Sequence, residues 1–170
     1  MQKIMNFADT INEWTGRIFS FTLVILAAVV VIEVILRKGF NSPTIWSFDL
    51  SKHLFAFLFM IVAGYTLLHE GHVAIDIFSK HFSERTQAKL EIISYLLFFF
   101  PFWLVVLWEG TKFAAMSWQI LETGWGLFPI PLYPIKTIIP LTALLLCLQG
   151  LATLIRKILI LKNTIAKGDQ

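Results

Sequence analysis

Four apolar segments, each long enough to cross a lipid bilayer, are the feature that most constrains the fold. A helix needs about 20 residues to cross a hydrocarbon core of about 30 Å, so four crossings use a large part of the 170 residues. The segments between them are too short to form a soluble domain. The sequence therefore predicts an all-α integral membrane protein that forms a single transmembrane domain. The predicted spans are about residues 18–37, 47–68, 88–109 and 136–157 of the domain 1–170.

The composition excludes several other classes of protein. Hydrophobic residues make up 57% of the chain and charged residues only 15%, so a soluble fold would expose too much apolar surface. The net charge of +3 is small and scattered, and we expect no binding to nucleic acid. The single cysteine, Cys147, lies in an apolar run, which leaves no disulfide framework and no cysteine metal cluster.

The positions of prolines and the spacing of apolar residues predict which connecting segments are helical. Short interfacial helices are predicted at residues 74–82 and 113–122, where apolar residues recur at helical spacing. The stretch TGWGLFPIPLYP, residues 123–134, contains three prolines and two glycines and should not be a regular helix. Pro101 is expected to kink the third span. Pro140 is placed in the first turn of the fourth span, where its missing N–H does little harm.

The distribution of basic residues predicts the orientation. With the N-terminus inside, nine lysines and arginines lie in the inner segments and five in the outer ones. The positive-inside rule therefore favours cytoplasmic N- and C-termini. Asp9 and Glu13 precede the first apolar run, which is unlike a secretion signal, so we expect a retained span.

The stretch LLHEGHVAIDIF, residues 67–78, raises the question of a metal site. The zinc-protease signature has two histidines four apart on one helix face, whereas His69 and His72 are three apart. His72 and Asp76 have the right spacing, but a zinc site needs about three or four ligands. His53 and His69 fall at opposite ends of the second span and cannot share a haem. We therefore predict no metal, no cofactor and no enzymatic activity.

Charged residues at helix ends have a structural and a functional interpretation. Glu33 and Arg37 are four apart with the acid first, the favourable order for a helix ion pair. The alternative makes Glu33 a proton-coupling carboxylate, as in small four-span exporters. Polar groups within a span need a partner or a purpose, and the ion pair is the preferred interpretation. Asp49, Lys52 and His53 form a second cluster at the start of the second span.

Three stretches follow one another along the chain: EVILRKGFNSPTIWSFDLSKHLF, GHVAIDIF and PIPLYPIKTIIPLTALLLCLQGL. Taken in order, they resemble the small membrane subunit of tripartite ATP-independent periplasmic (TRAP) transporters. Lys136, Pro140 and Gln149 also stand at familiar positions of the third stretch. The residues that carry the resemblance, and to which it assigns roles in structure and assembly, are Glu33, Arg37, Asn41, Pro43, Trp46, Asp49, His72, Asp76, Pro131 and Pro134.

This resemblance implies a function that composition does not show. Such a subunit lies in the bacterial inner membrane, in contact with lipid, beside a much larger multi-span membrane subunit that carries the transport path. A periplasmic binding protein delivers an organic acid, of the C4-dicarboxylate or sialic acid type, and a sodium gradient drives import. The small subunit acts as a scaffold. Two alternatives stay open: a stand-alone proton-coupled exporter, and a membrane-anchor subunit of a redox complex.

Overall fold

The computed structural model describes residues 2–69, 84–125 and 128–168, and these are almost entirely helical. Within these ranges the only β-type pairing is an isolated bridge between Thr123 and Pro131. The predicted all-α class is thereby confirmed. The helices are α1 (Gln2–Phe19), α2 (Thr22–Gly39), α3 (Ser47–Ile61), α4 (Ala63–Leu68), α5 (Glu84–Ser94), a π-helical segment (Tyr95–Phe99), α6 (Phe100–Gln119) and α7 (Tyr133–Gly168).

These helices form four units that are long and apolar enough to cross a membrane. Only Ser20 and Phe21 separate α1 from α2, and only Val62 separates α3 from α4. The first unit begins well before the predicted start at residue 18, because polar residues of α1 find partners on later helices. The four units are Met5–Gly39, Ser47–Leu68, Thr86–Gln119 and Tyr133–Lys162.

Pro101 is accommodated by a local change of helix type in the third unit. A proline in a helix has no N–H to donate, and its ring clashes with the carbonyl four residues earlier. The π-helical segment Tyr95–Phe99 ends two positions before it, and the Phe100 N–H donates to the Tyr95 carbonyl, five residues back. Widening the turn in this way is the usual form of a π-bulge. Phe99 then packs on Gly150 of α7, where an added Cβ would collide with the ring.

Two predictions about the segments around the last helix differ from the structure. Pro140 does not lie in the first turn, because α7 begins seven residues earlier, at Tyr133, and Pro140 is inside the helix. Gly110 lies opposite, against Ile139 and Pro140. Residues 113–119 continue α6 and do not form a separate interfacial helix. The interfacial helix predicted at 74–82 lies outside the described residues.

The core of the bundle is centred on α7. In the most apolar window of α7, 44% of residues are buried inside the chain, compared with 6%, 11% and 0% in the other three units. Its buried residues include Ala143, Leu146 and Ala152, and α6 packs along it more extensively than any other pair of described helices. Three of the four units therefore present most of their apolar surface outwards.

Candidate functional site

The turn between α2 and α3 is built around the carboxylate of Glu33. Arg37 donates two hydrogen bonds to Oε1, from Nε at 3.1 Å and from Nη2 at 2.7 Å. The Thr44 N–H donates to Oε2 at 3.2 Å, and the Thr44 hydroxyl donates to the same oxygen. The ion pair expected from the spacing is thus present, and it is joined to the following turn. Glu33 is engaged on both oxygens, as a structural carboxylate is.

Asn41 and Pro43 belong to the same turn. Asn41 has a φ of 49°, in the left-handed region that asparagine tolerates better than most residues. The Ser42 N–H donates back to the Leu36 carbonyl at 3.0 Å, closing the end of α2. Pro43 follows and directs the chain to Thr44, the partner of Glu33. Asn41 and Pro43, two of the residues that carry the family resemblance, therefore have a local structural role. They reverse the chain between two spans.

Trp46, Asp49 and His53 mark the start of α3. Trp46 is the N-cap residue, and Asp49 lies in the first turn, where a negative charge favours the helix dipole. Asp49 forms an ion pair with Lys52 at 2.7 Å, and His53 Nδ1 donates to the Asp49 carbonyl at 2.7 Å. Lys52 also lies over the Phe48 ring, 4.5 Å from its centroid.

The loop between α6 and α7 lies over the start of α3. The Gly124 N–H donates to the Ile130 carbonyl and the Leu132 N–H to the Glu122 carbonyl, each at 2.8 Å. Pro131 lies within this pairing, opposite Thr123. A cavity of about 190 Å³ separates the loop from α3, and its lining consists of Asp49, Lys52, His53, Gly124, Trp125, Phe128, Ile130 and Leu132.

Lys136 fastens the loop to the helices. Its ammonium group forms an ion pair with Glu122, and it lies 4.0 Å from the centroid of the Phe113 ring. The hydrogen bond from Lys136 lowers the pKa of the Glu122 carboxyl below its usual value. Pro134 occupies the first turn of α7, where a proline is tolerated. The side chain of Trp125, by contrast, is 100% exposed at the tip of the loop.

A polar cluster at the opposite end of the bundle joins α1 to α7. Asn12 Nδ2 donates to Gln149 Oε1 at 2.9 Å, and Gln149 Nε2 donates to Asp9 Oδ1 at 3.1 Å. Arg156 completes the chain with an ion pair to Asp9. Asn12 and Gln149 are both 0% exposed. We call Asp9, Asn12, Gln149 and Arg156 the inner polar cluster.

Contacts to α4 extend this end of the bundle. Glu13 of α1 accepts a hydrogen bond from His69 Nε2 at 2.7 Å. Gly64 lies directly against Asn12, and Gly16 lies against the Tyr65 ring, so that an added Cβ on either glycine would collide with the facing side chain. Small residues at these positions allow α1 and α4 to pack closely, as is common between membrane helices.

The sequence alone does not identify the inner polar cluster as a unit. It shows Gln149 only as a residue of the third stretch, and Asp9 and Glu13 only as acids that precede the first apolar run. One signal was available: Asp9, Asn12 and Gly16 share one helix face, and Gln149 and Arg156, seven apart, share another. Polar residues on a face of a membrane helix call for a partner, but nothing in the sequence identifies that partner.

The remaining predicted residues, His72 and Asp76, lie outside the described residues. Across residues 2–69, 84–125 and 128–168, no group of three or more His, Cys, Asp or Glu side chains is arranged to hold a metal ion. The absence of metals and cofactors stays a prediction. The charged groups described above instead hold helices and turns together.

Comparison with known proteins gives two similarities. Residues 26–159 match the family described as "Tripartite ATP-independent periplasmic transporters, DctQ component". The chain is also 24% identical over 120 residues to the "Sialic acid TRAP transporter permease protein SiaT" of Haemophilus influenzae (strain 86-028NP). That alignment covers 71% of this chain but only 19% of the relative. The chain thus spans about a fifth of the length of the curated relative it matches.

Proposed function

The chain belongs to the family of DctQ components of tripartite ATP-independent periplasmic transporters, and on that basis we propose that it is the scaffold subunit of a sodium-driven importer of an organic acid. Membership of this family and four helices able to cross a membrane make it a multi-pass membrane protein and a transporter component. In the proposed role it carries out no chemistry. It binds a larger membrane subunit and holds the immobile part of the transporter in place.

The observation that carries this proposal is that the charged side chains pair with one another within the chain, whereas the apolar surfaces of the spans stay exposed. The charged side chains near both ends of the spans contact one another, as Glu33 contacts Arg37 and Asp9 contacts Arg156. The apolar surfaces of α2 and α6 are left largely unburied. A span built to bind sodium or a carboxylate should instead aim polar groups into a cavity. These apolar faces suit broad packing against another membrane protein.

The curated relative supports the existence of a larger partner. About four fifths of that protein lies outside the match, since the aligned part is 19% of its length. A segment like this chain is therefore joined there to a much longer one. We propose that the longer segment corresponds to a separate multi-span subunit here. Sialic acid in the relative's name supports an acidic sugar among the candidate substrates, beside C4-dicarboxylates.

We further propose that the protein lies in the bacterial inner membrane with both termini in the cytoplasm. The 120–132 loop and the turn between α2 and α3 then face the periplasm, where a binding protein delivers the acid. The inner polar cluster lies near the cytoplasmic side. Protease added to intact spheroplasts should leave tags at both termini uncut. Cleavage of either tag would refute this orientation.

The test of the proposed function is purification of the tagged chain from its native membrane in a mild detergent. We expect a larger multi-span protein to purify with it at a constant ratio. A stand-alone exporter would purify without such a partner and would exchange protons for substrate in vesicles. A redox anchor would show the absorbance of a bound chromophore. Either of these results would overturn the proposal.

A further inference from the structure

A groove opens between α2 and α3, near the turn that connects them. Its volume is about 380 Å³, within the range of about 300–1,000 Å³ that is common for small-molecule pockets. Val30, Val34 and Phe48 supply its apolar walls, and Arg37 and Lys38 line the end near the turn. From Val30 to Lys38 is about 12 Å along the axis of α2. Glu33, Ser47 and Ser51 complete the lining, so the groove is mainly apolar along its length and carries a net positive charge at one end.

The charges at the cationic end are not all paired with other described residues. Both oxygens of Glu33 accept hydrogen bonds, from Arg37 and Thr44. Arg37 uses two of its five N–H donors in this way, and its side chain remains 57% exposed. Lys38 forms no ion pair with any residue in the described ranges. One positive charge is left over, beside unused guanidinium donors.

The surroundings of the groove decide what chemistry fits it. The α2 helix packs chiefly against α3, through the half-buried stripe Thr22, Leu26, Val29, Glu33 and Leu36. Its other faces are apolar and exposed along a span that crosses the membrane. The cationic end coincides with the last turn of α2, where the hydrocarbon gives way to headgroups. Basic residues at this depth attract anionic lipids.

We propose that this groove binds one anionic phospholipid, with an acyl chain along Val30, Val34 and Phe48 and the phosphate at Arg37 and Lys38. The site goes beyond the transport role and requires only that α2 and α3 cross the membrane. Arg37 contributes directional hydrogen bonds to the phosphate, while Lys38 contributes charge. A zwitterionic phospholipid should bind less well because its headgroup carries no net negative charge.

The test uses the protein, with whatever subunits purify with it, in nanodiscs of phosphatidylcholine with a minority of phosphatidylglycerol. A small fraction of the phosphatidylglycerol carries a photoreactive diazirine in its acyl chain. After irradiation, mass spectrometry should locate the lipid on peptides from Thr22–Gly39 and Ser47–Ile61. Equal labelling of all four spans would mean bulk lipid only and would overturn the proposal.

Matched variants separate the groove from the general lipid-facing surface. Val34→Trp should fill the groove and abolish this labelling, whereas Ile32→Trp should not, since two residues along a helix turn by about 200°. The two side chains are comparably exposed, at 54% and 48%. Equal labelling in the two variants would contradict the site, and so would a photoreactive residue at position 34 that cross-links to a protein subunit in place of lipid.

A second pair of variants tests the headgroup. Lys38→Gln should lower the labelling by phosphatidylglycerol relative to an equivalent phosphatidylcholine probe, and Lys112→Gln, an exposed lysine of α6, should not. This comparison does not require the Val34→Trp variant to fold. Lys38 is exposed, so we expect Lys38→Gln to leave folding unchanged. Excess soluble glycerol phosphate should leave the labelling unchanged. Competition by it would mean that the groove takes a free phosphate, and the lipid proposal would then be wrong.

Discussion

Asn12 Nδ2 donates a hydrogen bond to Gln149 Oε1 over 2.9 Å and so joins the first helix to the last, across 137 positions of sequence. Both side chains are fully buried. Asn12 also donates to the Ala8 carbonyl at 3.0 Å, which fixes its rotamer. Because α7 packs against α1, α3, α4, α5 and α6, this bond holds α1 to the centre of the bundle.

Replacing either partner of this bond should weaken the bundle. Asn12→Leu and Gln149→Leu should each lower the free energy of unfolding by about 1–3 kcal/mol, since the remaining side-chain amide stays buried and loses one of its hydrogen bonds. The double variant should lose less than the sum of the two, with a coupling of about 0.5–2 kcal/mol. Unfolding in mixed detergent micelles measures this. Gln119→Leu, at an exposed position, is the control, and strict additivity would contradict the interpretation.

Gly64 should not tolerate a side chain. A Cβ at this position would collide with Asn12 Oδ1, whereas a Cβ at Gly39 would meet nothing within 4 Å. Gly64→Ala should therefore destabilise the protein by about 1–3 kcal/mol through overpacking. Gly39→Ala should be neutral or slightly stabilising, because alanine favours a helix. Comparison of the two melting curves in the same detergent tests this, and equal stability of the two variants would refute it.

Glu33→Gln should impair assembly and leave ion coupling unchanged. The substitution removes the negative charge that pairs with Arg37 and weakens the hydrogen bonding from Thr44 to this side chain. Arg37 is then a cation without its partner. We expect a lower yield of assembled complex and an unchanged sodium dependence of uptake per complex. Glu109→Gln is the control, because Glu109 and Lys112 form an exposed pair. Normal yield with altered proton or sodium dependence would make Glu33 a coupling residue.

The loop between α6 and α7 should open in acid. The pKa of Glu122 is lowered in the folded protein, so the stability it contributes is present above its usual pKa and is lost as pH falls below that value. In Lys136→Met the pKa should return towards the usual value, and the loop should open at a higher pH than in the parent. Hydrogen exchange at the Gly124 and Leu132 amides reports the opening. Identical pH profiles for the parent and Lys136→Met would contradict this, and Lys112→Met serves as the control.

The number and nature of the spans could be predicted from the sequence because they depend on local properties. Apolar length determines whether a helix can cross the bilayer, and clustered prolines interrupt it, as at residues 123–134. Pairing within one helix or turn, as between Glu33 and Arg37, is also local. These features depend on residues a few positions apart, so a single sequence is enough.

Features that depend on distant residues could not be predicted. The early start of α1 accompanies contacts with α7, in which Asp9 pairs with Arg156 and Asn12 with Gln149. The start of α7 at Tyr133 depends on the loop pairing that leads into it, whereas the apolar run begins only at Ile138. The π-helical turn that precedes Pro101 accompanies the packing of Phe99 on Gly150, 51 positions later in the sequence. No spacing rule gives these pairings.

Uptake into reconstituted vesicles, compared for two chemically distinct organic acids with the same binding protein, tests the scaffold role most directly. The variants are Trp46→Ala, His72→Ala and Asp76→Ala, at positions where the family resemblance predicts a structural role. If the subunit is a scaffold, these changes lower the amount of complex or the maximal uptake rate and leave the preference between the two acids and the sodium requirement unchanged. If any of them changes which acid is imported, the subunit lines the transport path and the account is wrong.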